Sequence, residues 1–306
     1  MTSAVPDRQA EVERIQRREA WKRRLPLLPA LLFTIIVTQV PFVFSLYYSL
    51  TEWELLSPDP RRFIGLGNYV ELVGDRFFRE TIWTSVLMTV SAVLLSLLVG
   101  LGLAVLLDRK FPGQGLVRTL LITPFLIMPV VAGNIWKTQM FNATFGIINN
   151  VLEWLGFESV EFVSRFPLFS VVVVLVWQWS PFMMLIMLAG LQGQDASVLE
   201  AARVDGASTR SIFFQITLPQ LRPYIELSVL LGSIYLIQTF DQILVLTAGA
   251  VGSKNVPFFV YQESLGTNPS YGEASAYSIV VVIASIIIAT FGLRVLSNLL
   301  EGEAPA

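Results

Sequence analysis

Cysteine and histidine are both missing from the 306 residues of this chain. Their absence removes disulfides, thiol chemistry and imidazole metal ligation, and with them Ser-His and Cys-His nucleophile pairs. Charge is scarce too: Asp, Glu, Lys and Arg make up 14% of the residues, where a soluble domain carries roughly a quarter. No Gly-x-x-x-x-Gly-Lys-Ser/Thr loop occurs, so the chain brings no P-loop nucleotide site. The net charge of −2 implies no nucleic-acid or other polyanion partner. Against these shortages, 54% of the residues are hydrophobic, in runs too long for the core helices of a soluble domain. The chain is composed for a bilayer.

A membrane-spanning helix needs about 20 mostly apolar residues. Six segments meet that length: 27–50, 82–107, 116–140, 166–191, 224–247 and 276–298. The expected fold is therefore an all-α, polytopic membrane protein with six transmembrane helices. The first run follows an Arg-rich but also acidic N-terminus and has no small-residue cleavage site behind it. It reads as a retained helix rather than a signal peptide. Pro124 and Pro129 interrupt the third segment and Pro181 the fourth. Carbonyls freed by proline are tolerated where neighbouring helices or a cavity satisfy them, so these two segments should face the bundle.

Lys and Arg set the orientation. Seven lie before the first span, at Arg8, Arg14, Arg17, Arg18, Lys22, Arg23 and Arg24. The 108–118 loop adds Arg109, Lys110 and Arg118, and the 192–223 loop adds Arg203, Arg210 and Arg222. The 141–165 and 248–275 loops hold one each, Arg165 and Lys254. The first outer loop has Arg61, Arg62, Arg76 and Arg79, but six acids beside them. The positive-inside rule then places both termini and the 192–223 loop in the cytoplasm. Val12, Ile15 and Trp21, among many charges, suit either a helix lying on the membrane surface or a solvated tail. The outer stretch "FIGLGNYVELVGDRFFRETIW" should form a short helix along the outer interface before the second span.

The cytoplasmic loop contains "SVLEAARVDGASTRSIFFQITLP". Ser197 and Glu200 fit a capping box at the start of a helix. Ala201, Ala202 and Arg203 continue it, Gly206 allows a turn, and Ser208 can cap a second helix that ends before Leu218-Pro219. Local physics alone does not separate a docking helix from a self-capped connector.

The spacing does. Glu200-Ala201-Ala202, then Asp205-Gly206-Ala207, then Ile216-x-Leu218-Pro219 resembles the EAA loop of ABC importer permeases of the sugar type. "FIGLGNYVEL", "VRTLLITPFLIMPVVAGNIWKTQMFNATFGIINNVLEWLGF" and "IQTFDQILVLT" are similar to further segments of that family, so the resemblance covers nearly the whole chain. Within it, "ITLPQLRPYIELSVLLGSIYLIQTFD" and "YGEASAYSIVVVIASIIIATFGLRVL" look closest to polyol permeases for sorbitol or mannitol. The sequence departs from the family at Asp195, where relatives often have proline; Asp is also a good cap, which would shift the helix start slightly. It departs again at "LTAGAVG", which replaces Gly-Gly-Pro.

The resemblance implies the type I permease fold and a multi-pass place in a bacterial cell membrane. It implies a cytoplasmic or interfacial segment 1–26, a permease domain 27–298 with the EAA coupling loop 192–223, and a cytoplasmic tail 299–306. It implies that the chain is no enzyme and needs no cofactor of its own, Mg-ATP being used by two cytoplasmic ABC ATPase subunits. A second permease subunit, an extracytoplasmic solute-binding protein and membrane lipid complete its partners. Glu200, Ala201, Ala202, Asp205, Gly206, Ile216, Leu218 and Pro219 would form the ATPase-coupling surface. Glu200 has two competing roles, capping its own helix or pairing with a basic ATPase residue.

Neutral sugars and polyols are held by hydrogen bonds and by aromatic faces. Candidates within the spans are Asn134, Trp177, Gln178, Trp179, Tyr235, Gln238 and Asp241. Lys137 and Asp241 lie near helix ends, where snorkelling or a structural pair is equally open to them. Trp136 reads as an interface anchor. Tyr235 and Gln238, three apart, should share a face of the fifth helix. Two other classes compete. A secondary carrier would show inverted repeats and a mid-membrane ion site, and an intramembrane enzyme would need a paired-carboxylate or nucleophile core. Neither pattern is present in the sequence.

Overall fold

The computed structural model describes residues 25–267 and 269–301. The readings of Val12, Ile15 and Trp21, of the basic cluster at 8–24 and of the tail beyond 301 lie outside the described residues. Among those described, three helices are long and apolar enough to cross a membrane: Leu28–Ser49, Arg76–Leu107 and Pro167–Gln192. They are the expected first, second and fourth spans.

The expected third span is not one straight helix. It consists of Gln114–Leu126 and Pro129–Met140, bent by 101° at the break between them. The cause is local. A residue before proline is driven out of the helical region, and Met128 accordingly has ψ 136° with Ile127 beside it at ψ 135°. The second half ends in a π-turn, Trp136–Met140. By contrast, Pro41 and Pro181 sit inside continuous helices.

The expected fifth span, 224–247, also divides. A helix from Arg222 to Leu236 is followed by non-helical Thr239 and Phe240, then by a short helix Asp241–Leu246. Tyr235 therefore lies in the last turn of the helix, while Gln238 lies beyond it. The sixth helix runs from Tyr271 to Glu301.

The second and fourth helices form the centre of the bundle. Met88, Ala92 and Val93 of the second meet Val171, Val174 and Leu175 of the fourth, with Val229 and Leu236 of the fifth closing the cluster. A second cluster, with Ala104, Leu107, Met184, Met187, Leu188, Leu221 and Ile225, continues this core toward the 192–223 connector. In lipid the hydrophobic effect does not drive helix against helix, so close packing at small residues must supply the contact. Gly100 and Gly232 provide it, each opening the space that Met183 fills. The first helix is exposed along its length, with Ser49 its one buried residue among those described. Lipid or another subunit must cover it.

At the end remote from that connector, a short antiparallel ribbon pairs Thr51–Glu52 with Arg62–Phe63. The expected short helix is present at Gly67–Gly74, and Asp75 then caps the second span by accepting from the Phe77 N–H at 2.8 Å. Buried Asn68 donates to the carbonyls of Ser49 and Thr51 and so ties this helix to the end of the first span. In the departure "LTAGAVG", Ala248, Gly249 and Gly252 all adopt positive φ.

Candidate functional site

The two broken helices meet around a cavity of about 350 Å3. Its lining joins Phe125, Ile127 and Pro129 of the third span, Gln178 and Trp179 of the fourth, and Tyr235 and Gln238 through Gln242 of the fifth. Three rings form one wall: Trp179 lies 5.6 Å from Phe125, edge to face, and 5.5 Å from Tyr235 at 31°. The same lining holds the polar residues Gln238, Thr239 and Asp241. Among the described residues no Lys or Arg is within ion-pair reach of Asp241.

Of the residues expected along a substrate path, Gln178, Trp179, Tyr235, Gln238 and Asp241 line this one cavity. Tyr235 and Gln238 do so together despite the end of the helix between them, because the Gln238 side-chain amide folds back to donate to the Ile234 carbonyl at 3.0 Å. Asn134 and Trp177 are not part of it. Asn134 is exposed on the far half of the broken span. Trp177, one residue from Gln178, points 100° around the helix. It packs edge-on to Trp136 at 5.7 Å in a separate apolar groove between the second, third and fourth spans. That groove is the larger of the two at about 610 Å3, but it offers almost no polar lining to a hydroxylated solute. Lys137 is committed elsewhere, donating to the Val245 carbonyl at 2.7 Å.

Phe125 and Thr239 were not singled out in the sequence. Phe125 sits between two prolines in an apolar run, and Thr239 adjoins a break that hydropathy does not reveal.

The connector between the fourth and fifth spans starts differently from the capping box read in the sequence. Asp195, not Ser197, is the cap: its carboxylate accepts from the Ser197 N–H at 2.9 Å at the head of helix Ala196–Val204. Glu200 lies one turn further in, exposed, and makes no hydrogen bond or ion pair among the described residues. A carboxylate two residues before the first free amide captures it first, which leaves Glu200 free for another partner.

The helix ends in a complete Schellman motif. The Gly206 N–H donates to the Arg203 carbonyl at 3.1 Å and the Ala207 N–H to the Ala202 carbonyl at 3.0 Å, with Gly206 at φ +83°. Ser208 caps the next turn through the Ser211 N–H. That second segment does not stop before Leu218-Pro219. It passes through a π-turn, Phe213–Thr217, into Leu218–Gln220, because the wider turn and the first-turn position of Pro219 spare it a missing donor. Buried Thr217 offers its carbonyl to the Gln194 side chain at 3.0 Å, tying the two ends of the connector together. Ile216 and Leu218 are half-buried, whereas Glu200, Ala201, Asp205, Gly206 and Pro219 are exposed and Ala202 is partly so. Val204, 87% exposed, adds an apolar point to a charged helix.

The cap makes this helix pH-sensitive. The backbone hydrogen bond from Ser197 holds the Asp195 carboxyl below the usual aspartate range. Its contribution is therefore fully present above that range and is lost as pH falls through the lowered value. Asp195→Asn keeps an acceptor but not the charge. Amide protection over residues 196–200, taken relative to the intrinsic exchange rate at each pH, should fall in the parent chain as pH drops below the usual aspartate range and stay flat in the variant. Equal acid sensitivity in both would contradict the cap.

The fold is that of an ABC importer permease. It is similar to a chain of a bacterial ABC transporter involved in the import of the acidic polysaccharide alginate, with a TM-score of 0.76 at 19% identity, covering 95% of this chain and all of that one. The chain belongs to the family of binding-protein-dependent transport system inner membrane components, whose profile matches residues 114–299.

Among relatives, a probable ABC transporter permease protein of Sinorhizobium fredii is 38% identical over 84% of each chain. The sulfoquinovosyl glycerol transport system permease protein of Agrobacterium fabrum is 33% identical over 89% of each. The trehalose transport system permease protein of Mycobacterium tuberculosis is 33% identical over 89% of this chain and 90% of that one. The chain is thus a multi-pass membrane permease subunit of an ABC importer, not itself an enzyme.

Proposed function

We propose that this chain forms half of the translocation pathway of an ATP-driven importer for a sugar or polyol, with sorbitol- or mannitol-like polyols as the narrower reading. The cavity between the broken helices is the observation that carries it. Three aromatic faces can cover the C–H surface of a sugar, while amide, hydroxyl and carboxylate groups receive its hydroxyls. Two relatives are named for trehalose and for sulfoquinovosyl glycerol, which supports a polyhydroxylated cargo.

In this account residues 1–26 precede a permease domain of residues 27–298, with 299–306 as a tail. The Lys and Arg pattern puts both termini and the 192–223 connector in the cytoplasm. There the exposed face of Ala196–Val204, with Glu200, Ala201, Ala202, Asp205 and Gly206, meets one of two ATPase subunits. Ile216, Leu218 and Pro219 support that face from the following turn. A second permease subunit closes the open side of the cavity, and an extracytoplasmic binding protein delivers the solute. Family membership disfavours a self-sufficient carrier.

Trp179→Ala and Tyr235→Ala test the cavity. Each is expected to raise the KM for uptake by roughly three- to tenfold, the scale of an aromatic contact of about 0.5–1.5 kcal/mol. ATP hydrolysis without solute should be unchanged. Trp177→Ala, on the other face, serves as the control. If Trp177→Ala raises KM while the other two leave it alone, the cavity is not the path.

A further inference from the structure

The break in the third span leaves a specific polar atom to be accounted for. With Met128 extended before Pro129, the Ile127 carbonyl has no helical donor. Inside a membrane bundle such a group must find a partner within the protein. The Gln178 side chain supplies it, donating through Nε2 to the Ile127 carbonyl at 2.8 Å. Its Oε1 in turn accepts from Gln242 Nε2 at 2.8 Å. Both glutamines are 4% exposed.

The second break is held in the same manner. Buried Asn255 donates from Nδ2 to the carbonyl of Thr239, just before the helix that carries Asp241 and Gln242. Thus one chain of amides runs from the break in the third span, through the fourth, to the restart of the fifth. Ile127, Gln178, Thr239, Asp241 and Gln242 all line the same cavity.

We infer that Gln178 is a positioning residue and not a solute contact: its amide locks the two broken helices in register and thereby sets the shape of the cavity. This rests on the cavity being the solute path. Both polar ends of the side chain are already engaged, one N–H on Ile127 and the carbonyl oxygen on Gln242, and its burial leaves little surface to offer. Trp179, Tyr235 and Asp241 stand on the elements that it joins. Without the lock, the aromatic wall and the carboxylate no longer keep a fixed separation.

The lack of native cysteine allows a direct reading. Met128→Cys and Val251→Cys, both at exposed positions, carry a spin-label pair in the full transporter assembled with its partner permease and ATPases in nanodiscs. The parent should give a narrow distance distribution. Gln178→Met, which keeps the side-chain length, should at least double its width. Gln242→Met, which leaves the Ile127 bond in place, should broaden it less, and the double variant should be no broader than Gln178→Met alone. Should Gln178→Met fail to assemble, Gln242→Met carries the test in its place.

An unchanged width in the variants overturns the inference. Uptake of radiolabelled sorbitol and of trehalose separates it from the cavity reading. A broadened distribution, together with no KM effect from Trp179→Ala or Tyr235→Ala, sinks the cavity and leaves the lock. A KM effect from those two with an unaltered distribution does the reverse.

Discussion

Gly100→Ala is expected to destabilise the assembled membrane domain by about 3 kcal/mol, the upper range for overpacking a filled contact. A Cβ at Gly100 would stand 2.7 Å from the Met183 Cβ, 2.8 Å from the Met184 nitrogen and 2.9 Å from the Ser180 carbonyl oxygen. Two of those atoms are backbone, so no rotamer change relieves the clash. The second and fourth helices would have to separate along the seam that carries most of the core. Gly102 is the internal control, because a Cβ there meets nothing within 4 Å. Gly102→Ala should be neutral or stabilising by up to about 1 kcal/mol through helix propensity. Thermal or denaturant unfolding in mild detergent distinguishes the pair. Equal stability of the two variants would contradict the packing described here.

The second large effect is functional. Gly206→Val should abolish most ATP-dependent uptake while leaving the chain folded and inserted. Gly206 is exposed and a Cβ would touch nothing within 4 Å, so no packing is lost. What is lost is the φ of +83° that closes the Schellman motif. A β-branched residue resists that conformation by roughly 1–2 kcal/mol, enough to redirect the end of an exposed nine-residue helix. On the proposed reading that helix is the surface the ATPase grips, so co-purification of the ATPase should fall with uptake. Glu200→Lys should do the same by reversing a charge that has no partner among the described residues, whereas Ser197→Ala should do nothing. Loss of uptake in Ser197→Ala with Glu200→Lys unaffected would restore the capping box and remove Glu200 from the coupling surface.

Much of this architecture can be read from sequence, for physical reasons. Spans one, two and four are long and apolar, and length with hydropathy is all that a bilayer demands of them. The prolines at 124 and 129 are visible, but a 101° bend is not. Pro41 and Pro181 occupy comparable runs and stay inside continuous helices. At the bend the freed carbonyl is taken by a distant side chain, Gln178, from 51 residues away, and that pairing is invisible to a local reading. The end of the fifth helix at Leu236 is hidden for the same reason: Asn255, which holds the break open, lies in a later loop.

At the site, Trp179, Tyr235, Gln238 and Asp241 line one cavity, yet Trp177 and Trp179 look alike in one dimension. Only helix rotation sends one to the cavity and the other to the apolar groove. The choice between the two caps has a simpler source. Ser197 and Asp195 are both good caps, and the carboxylate nearer the helix start wins.

The most direct test of the central claim is uptake into proteoliposomes containing this chain, its partner permease and the binding protein, with and without the ATPase subunits and internal Mg-ATP. A sugar or polyol should accumulate only when ATPase and Mg-ATP are both present. Accumulation that persists without either, or that follows an ion gradient instead, would contradict it.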